Sequence, residues 1–208
     1  MTVMRHFFFM VLLAGLMITP VGLMAQEVYK QAKSGALGGY SVILDMTETT
    51  GMPAGAVTNV KKYIGSYTAS NENWLINATD NLYDGSINAT LYQKLEIAPK
   101  DMNTSANIDG TGTLAMNWND AYNRCKSSTY NGGGWRLPTQ RELMMIWTFK
   151  PALESIFGGI GGTMFDTGIY WGATECIVYN AWNVNFSSGY TDNYTKTVNF
   201  RVRCVREL

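Results

Sequence analysis

Histidine is all but missing from this chain: 208 residues contain one, His6. Cysteine is scarce, with three residues, and charged side chains make up only 15% of the total. Sixteen basic residues balance sixteen acidic ones, and the longest basic run is Lys61-Lys62. Each shortage removes a class of chemistry. Gripping nucleic acid takes clustered Lys and Arg to neutralise phosphates, so no nucleic-acid partner is expected. His6 sits in a stretch expected to be removed, which takes Ser-His-Asp and Cys-His nucleophiles and His-based zinc or copper sites away from the rest of the chain. Cys125, Cys176 and Cys204 lie too far apart for a CxxC metal or redox site. No metal and no cofactor is expected, and no second apolar run approaches the ~20 residues of a membrane span.

What is present begins with a targeting segment. Arg5 and His6 precede an apolar run from Phe7 to Ile18, broken by Pro20 and Gly22 and ending in Leu23-Met24-Ala25. This order predicts a signal peptide over residues 1–25, cleaved after Ala25, and hence an exported chain with no transmembrane span once mature. In an oxidising compartment one cysteine pair is expected, with one thiol left over.

The remainder divides into a β-rich N-terminal portion, residues 26–111, and a second region, residues 112–208. In the first, Tyr40–Leu44, Trp74–Ile76 and Thr90–Leu95 read as strands, and Thr50–Pro53 and Asp84-Gly85 as turns. Ile76–Thr79 recurs as Ile87–Thr90, which suits a hairpin. Asp80–Gly85 places Leu82 where a calcium loop needs oxygen, so it too reads as a turn. In the second region, Asn117 or Asn119 can cap a short helix near 118–127 that puts Trp118, Ala121, Tyr122 and Cys125 on one face. The glycine run 132–134 predicts a turn. Thr139 and Glu142 form a capping box ahead of a helix whose apolar face is Leu143, Ile146 and Trp147, which Pro151 stops or shifts into a second short turn. Two alternating stretches then read as antiparallel strands: Trp182, Val184 and Phe186 against Asn183, Asn185 and Ser187, and Val198, Phe200, Val202 and Cys204 against Asn199, Arg201 and Arg203. Strands, two helices and strands again predict an α+β domain, with its main core in the tryptophan-rich second region.

Five motifs carry a family resemblance. Trp118…Ala121…Cys125 is followed by Gly134-Trp135-Arg136-Leu137-Pro138-Thr139…Glu142-Leu143, then Tyr170–Glu175, Ala181–Phe186 and Val202–Arg206. In this order they resemble the DUF1566 family, also called the Lcl C-terminal domain, to which the Fibrobacter major paralogous domain is related. The resemblance covers about residues 112–208. It implies a C-type-lectin-like fold, related to formylglycine-generating-enzyme domains, with two helices flanking a twisted, mostly antiparallel sheet. Under that fold Cys125 and Cys204 can pair; Cys176 with Cys204 is the alternative.

The family's functions are varied, so the site must come from residues. Trp118-Asn119-Asp120 opens a helix and is read as cap chemistry rather than calcium-dependent sugar binding. Glu142, Asp166 and Glu175 are the acids available to a carboxylate-dependent hydrolase, but salt bridges to Arg136 or Arg203 are the simpler expectation for Glu142 and Glu175, and no enzyme is predicted. The candidate ligand surface is the strip Tyr179, Asn180, Asn183, Asn185, Ser187, Tyr190, Asp192, Asn193 and Tyr194. Rigid rings with short amides and hydroxyls are the make-up of adaptable recognition surfaces. Trp135, Trp171, Trp182 and Phe186 are expected to be core beneath it. The expected function is a non-catalytic recognition module, secreted to the cell surface or periplasm of a bacterium, binding an extracellular glycan or protein ligand. Alternatives are a structural subunit among surface or fimbrial partners, or a binding protein whose strip is diversified by a retroelement.

Overall fold

The computed structural model of the protein describes residues 27–45, 94–103, 108, 115–177 and 179–208. The expected signal peptide, the strand at Trp74–Ile76, most of that at Thr90–Leu95, the turns at Thr50–Pro53 and Asp84-Gly85, and the repeat lie outside the described residues.

Two antiparallel sheets and three α-helices make up the described fold, which is α+β. The first sheet has the order β1-β2-β3-β7, from Glu27–Ala32, Tyr40–Asp45, Lys94–Ile97 and Val205–Glu207. Its neighbours pair antiparallel throughout, with Leu44 opposite Leu95 and Ile97 opposite Val205. The second sheet, β4-β5-β6, runs from Ile169–Ile177 through Asn180–Asn185 to Thr191–Thr195. β3 and β7, on either side of the division expected at 111/112, share this sheet. A boundary placed by composition cannot see a pairing so distant in sequence.

The helices form where their caps and apolar spacing dictate. Asn117 caps α1 (Trp118–Ser127) by accepting from the Asp120 amide at 2.9 Å. Its buried face is Trp118, Ala121, Tyr122 and Cys125. Thr139 and Glu142 form the capping box of α2 (Gln140–Thr148): the Glu142 amide donates to Thr139 Oγ1 at 3.2 Å and the Thr139 amide to Glu142 Oε2 at 2.7 Å. Beyond it lies a third helix, α3 (Lys150–Ile160), where only a short turn was expected. Pro151 falls in its first turn, where a missing N–H costs nothing, so the proline begins this helix rather than blocking it. Leu153, Phe157 and Ile160 give it a buried stripe.

The core is two clusters rather than one. In the first, Val42, Leu44, Leu95 and Ile97 of the four-stranded sheet meet Leu143 and Ile146 of α2, Leu153 and Phe157 of α3, and Tyr170, Val184 and Phe186. In the second, Trp118 and Ala121 of α1 meet Trp135, Leu137, Trp171, Ala181 and Val202. The N-terminal strands therefore supply a share of the core that the tryptophan count had assigned to the second region. Adjacent residues of β4 go to different clusters, Tyr170 to the first and Trp171 to the second, so the three-stranded sheet lies between them.

The C-terminal segment ties these parts together. Arg136 and Val205 exchange backbone hydrogen bonds, the Ala98 amide donates to the Cys204 carbonyl, and Trp171 and Ile169 bond to Arg201. Cys125 and Cys204 form a disulfide with Cα atoms 5.6 Å apart, joining α1 to this segment, and Cys176 is a free thiol. Val202 and Cys204 are buried as expected, but so is Arg203, fully, where alternation had placed it in water. Its guanidinium is held inside by Asp101 at 2.7 Å and by the carbonyls of Ala98, Thr163 and Met164. No helix among the described residues is long and apolar enough to cross a membrane.

Candidate functional site

The expected strip lies on the β5–β6 hairpin, at the edge of the three-stranded sheet. Its turn is built locally: Asn185 Oδ1 accepts from the Ser187 amide at 2.9 Å and from its hydroxyl at 2.6 Å. Gly189 is required there twice over. Its φ is +75°, and a Cβ would stand 2.4 Å from the Trp147 ring. The α2 tryptophan thereby presses on the hairpin turn and fixes it against the first cluster.

Register divides the strip between two faces. Asn183 pairs with Asp192, Ala181 with Tyr194 and Trp182 with Asn193, and the Asn185 amide donates to the Tyr190 carbonyl. Alternation places Tyr190, Asp192 and Tyr194 on one face with Ala181, Asn183 and Asn185, and Asn180 and Asn193 on the other with Trp182, Thr191 and Thr195. Tyr179 precedes β5 and bonds through its carbonyl to the Lys196 amide.

Three of the nine expected ligand residues are large and open to solvent: Tyr190 is 65% exposed, Tyr194 47% and Tyr179 42%. Tyr194 also packs edge-on against Phe200, with ring centroids 5.6 Å apart. Phe200 lines a shallow cleft of about 450 Å³ with Ala115, Ile169, Asn199 and Arg201.

The polar members are less free than their composition suggested. Asn183 is 2% exposed and does not present its side chain to solvent. It sits on the face covered by the second cluster, a consequence of the sheet being packed on both sides. Asn185 and Ser187 satisfy one another in the turn. Asn180 donates to Asn193 at 2.8 Å, and Asp192 accepts from the Asn193 amide at 2.8 Å, which occupies one donor on the bare edge of β6.

The expected core beneath the hairpin is present with one exception. Trp135, Trp171 and Phe186 are buried, but Trp182 is half-buried and joins neither cluster. Alternation alone puts Trp182, Val184 and Phe186 on one inward face. Val184 and Phe186 pack with Leu143 and Ile146 of α2 in the first cluster, whereas Trp182 is only partly buried.

The carboxylates are committed. Glu142 pairs through both oxygens with Arg136 at 2.7 Å, as expected, and burial, which alone would raise its pKa, is outweighed by that guanidinium so that the carboxyl is held below its usual range. Glu175 pairs with Lys196 rather than with Arg136 or Arg203. This pair is buried, with Lys196 Nζ 4.2 Å above the Trp118 ring, and burial lowers the lysine pKa against the pull of Glu175. Asp166 pairs with Arg201 at 2.7 Å. Asp101, which no sequence pattern singles out, accepts from the Tyr170 hydroxyl at 2.7 Å and pairs with Arg203; burial pushes its carboxyl up against the opposing charge of Arg203. Among the described residues no group of three or more His, Cys, Asp or Glu side chains could hold a metal ion.

No curated protein matches the sequence. The model of one family does, the Lcl C-terminal domain, over residues 74–206. The match begins well before residue 112 and takes in β3, in agreement with the sheet that β3 and β7 share. It covers more than half of the protein, and the chain belongs to the Lcl C-terminal domain family.

Proposed function

We propose that the protein is an exported, non-catalytic recognition module of a bacterial cell surface, with a C-type-lectin-like domain that binds a glycan or protein ligand through the β5–β6 hairpin. The observation that carries the reading is the exposure of Tyr179, Tyr190 and Tyr194 on a hairpin whose turn is clamped by Trp147. Rings held in place before binding lose little conformational freedom on contact, which leaves more of their buried area as affinity. The non-catalytic part is supported by the ion pairs that occupy Glu142, Glu175 and Asp166.

The test is to present the full chain to an array of glycans and host surface proteins beside a variant with Tyr179, Tyr190 and Tyr194 all changed to Ala. Binding by the native chain that is lost in the folded variant is the expected result. Equal binding by both, or none by the folded native chain, overturns the reading.

β1 favours a second reading, a structural subunit of a surface assembly. Among the described residues it is the outer strand of the first sheet, and four of its six residues are exposed. An open strand edge is a template for pairing with another chain. Assembly lost on substituting Pro for Lys30, with array binding absent, would move the function to this edge.

A further inference from the structure

Trp182 differs from the other described tryptophans. Trp118, Trp135 and Trp171 are buried and donate their indole N–H groups to the carbonyls of Gly172, Tyr130 and Met116, at 2.7–2.9 Å. Trp147 packs against the first cluster. Trp182 is partly buried, belongs to neither cluster, and has no hydrogen-bond or ring partner among the described residues. Its N–H is not a buried orphan either. A ring with part of its surface open, and an indole donor without a partner among the described residues, is what a ligand contact requires.

Its surroundings narrow the ligand. On the same face of the sheet the pairing places Asn180 along β5 and Thr191, Asn193 and Thr195 along β6, none of them buried. Gln140 of α2 crosses β5 here, donating from Nε2 to the Asn183 carbonyl at 3.1 Å and to Thr191 Oγ1. Thr174 of β4 accepts from the Gln140 amide at 2.9 Å. Gly172 makes that crossing possible, since a Cβ would stand 3.1 Å from Gln140 Oε1 and 3.2 Å from the Trp182 carbonyl. The ring has a rim of amides and hydroxyls, and none of the β5 and β6 residues on its face is charged, Asp192 lying on the opposite face.

We propose that this face is a binding site for a neutral sugar, with one pyranose ring stacked on the Trp182 indole and its hydroxyls bonded to Asn180, Asn193 and the indole N–H. A pyranose offers a C–H face to an aromatic ring and donors and acceptors at its edge, which amides match in both senses. A sialylated or sulfated sugar finds no countercharge in this rim. The site shares Asn180 and Asn193 with the strip of the proposed function but none of its tyrosines, so each can fail alone.

The experiment measures binding of the full chain to cello-, malto- and manno-oligosaccharides, with sialylated and sulfated glycans as controls. At least one neutral series should bind. Trp182→Ala should weaken that binding roughly thirtyfold, as loss of an aromatic anchor does. Met164→Ala, an exposed side chain outside the two strands, should leave it unchanged. Asn193→Ala, which removes one rim contact and no ring, should weaken it by roughly five- to tenfold and serves even if the tryptophan variant does not fold. Binding that survives both changes, preference for the acidic glycans, or no binding to any neutral series overturns the site.

Discussion

The two sheets use polar side chains in opposite ways. In the four-stranded sheet Glu96 is 2% exposed, and its carboxylate is shared among Arg206 at 2.6 Å, Ser41 at 2.6 Å and Lys33 at 3.2 Å. Arg206 in turn lies 4.7 Å over the Trp135 ring and donates to the carbonyls of Asn131 and Gly133. These charges face one another, and their role ends inside the molecule. In the three-stranded sheet, Lys196 and Glu175 pair in the same manner beside the core, while the outer half turns tyrosines, short amides and hydroxyls toward water. The first sheet is a frame. The second is frame on one side and surface on the other, and the step between them falls inside one hairpin.

That contrast can be broken from the frame side first. Removing Arg203 with Met leaves the Asp101 carboxylate in the interior with only the Tyr170 hydroxyl, and a buried charge stripped of its partner should cost about 3–5 kcal/mol. Chemical denaturation of the variant measures this. Breaking the Cys125–Cys204 bond with a pair of serines releases a loop of 79 residues. It should lower stability by about 4 kcal/mol in the chain-entropy account, with melting of the reduced chain as a check.

Smaller in effect is the Arg136–Glu142 clasp. The folded carboxyl titrates below its unfolded value, so the stabilisation is complete above the ordinary glutamate value of about 4.3 and is lost as pH falls through the lower folded value. The melting temperature should therefore fall from about pH 5 downward, and Glu142→Gln should lower it at neutral pH and flatten that fall. At the far end, Tyr190→Ser touches no core residue and should change stability by no more than about 0.5 kcal/mol while removing a binding contact. Equal destabilisation by the Arg203 and Tyr190 substitutions would erase the distinction between frame and surface.

How much of this was legible in the sequence follows the range of the interactions involved. Cap chemistry is local, so Asn117, Thr139 and Glu142 could be read directly, and with them α1 and α2. The family motifs led to Cys125–Cys204 and Arg136–Glu142. What failed was non-local. Alternation assumes one wet face, but β5 is packed on both sides, so Asn183 is buried as well, while Trp182 is only partly so. Arg203 and Lys196 are fully buried because partners far along the chain, Asp101 and Glu175, neutralise them. Trp182 carried a detectable signal: it is followed by Asn183 and lies in a stretch dense with Asn, Thr and Tyr, where a ring need not be core.

The most direct test of the account is amide hydrogen exchange along the chain, with and without the array ligand that binds it most tightly. The account predicts slower exchange confined to residues 179–195, with β2 and β3 unchanged. Protection that appears instead in residues 27–45 or 94–103 would contradict it and place recognition on the frame.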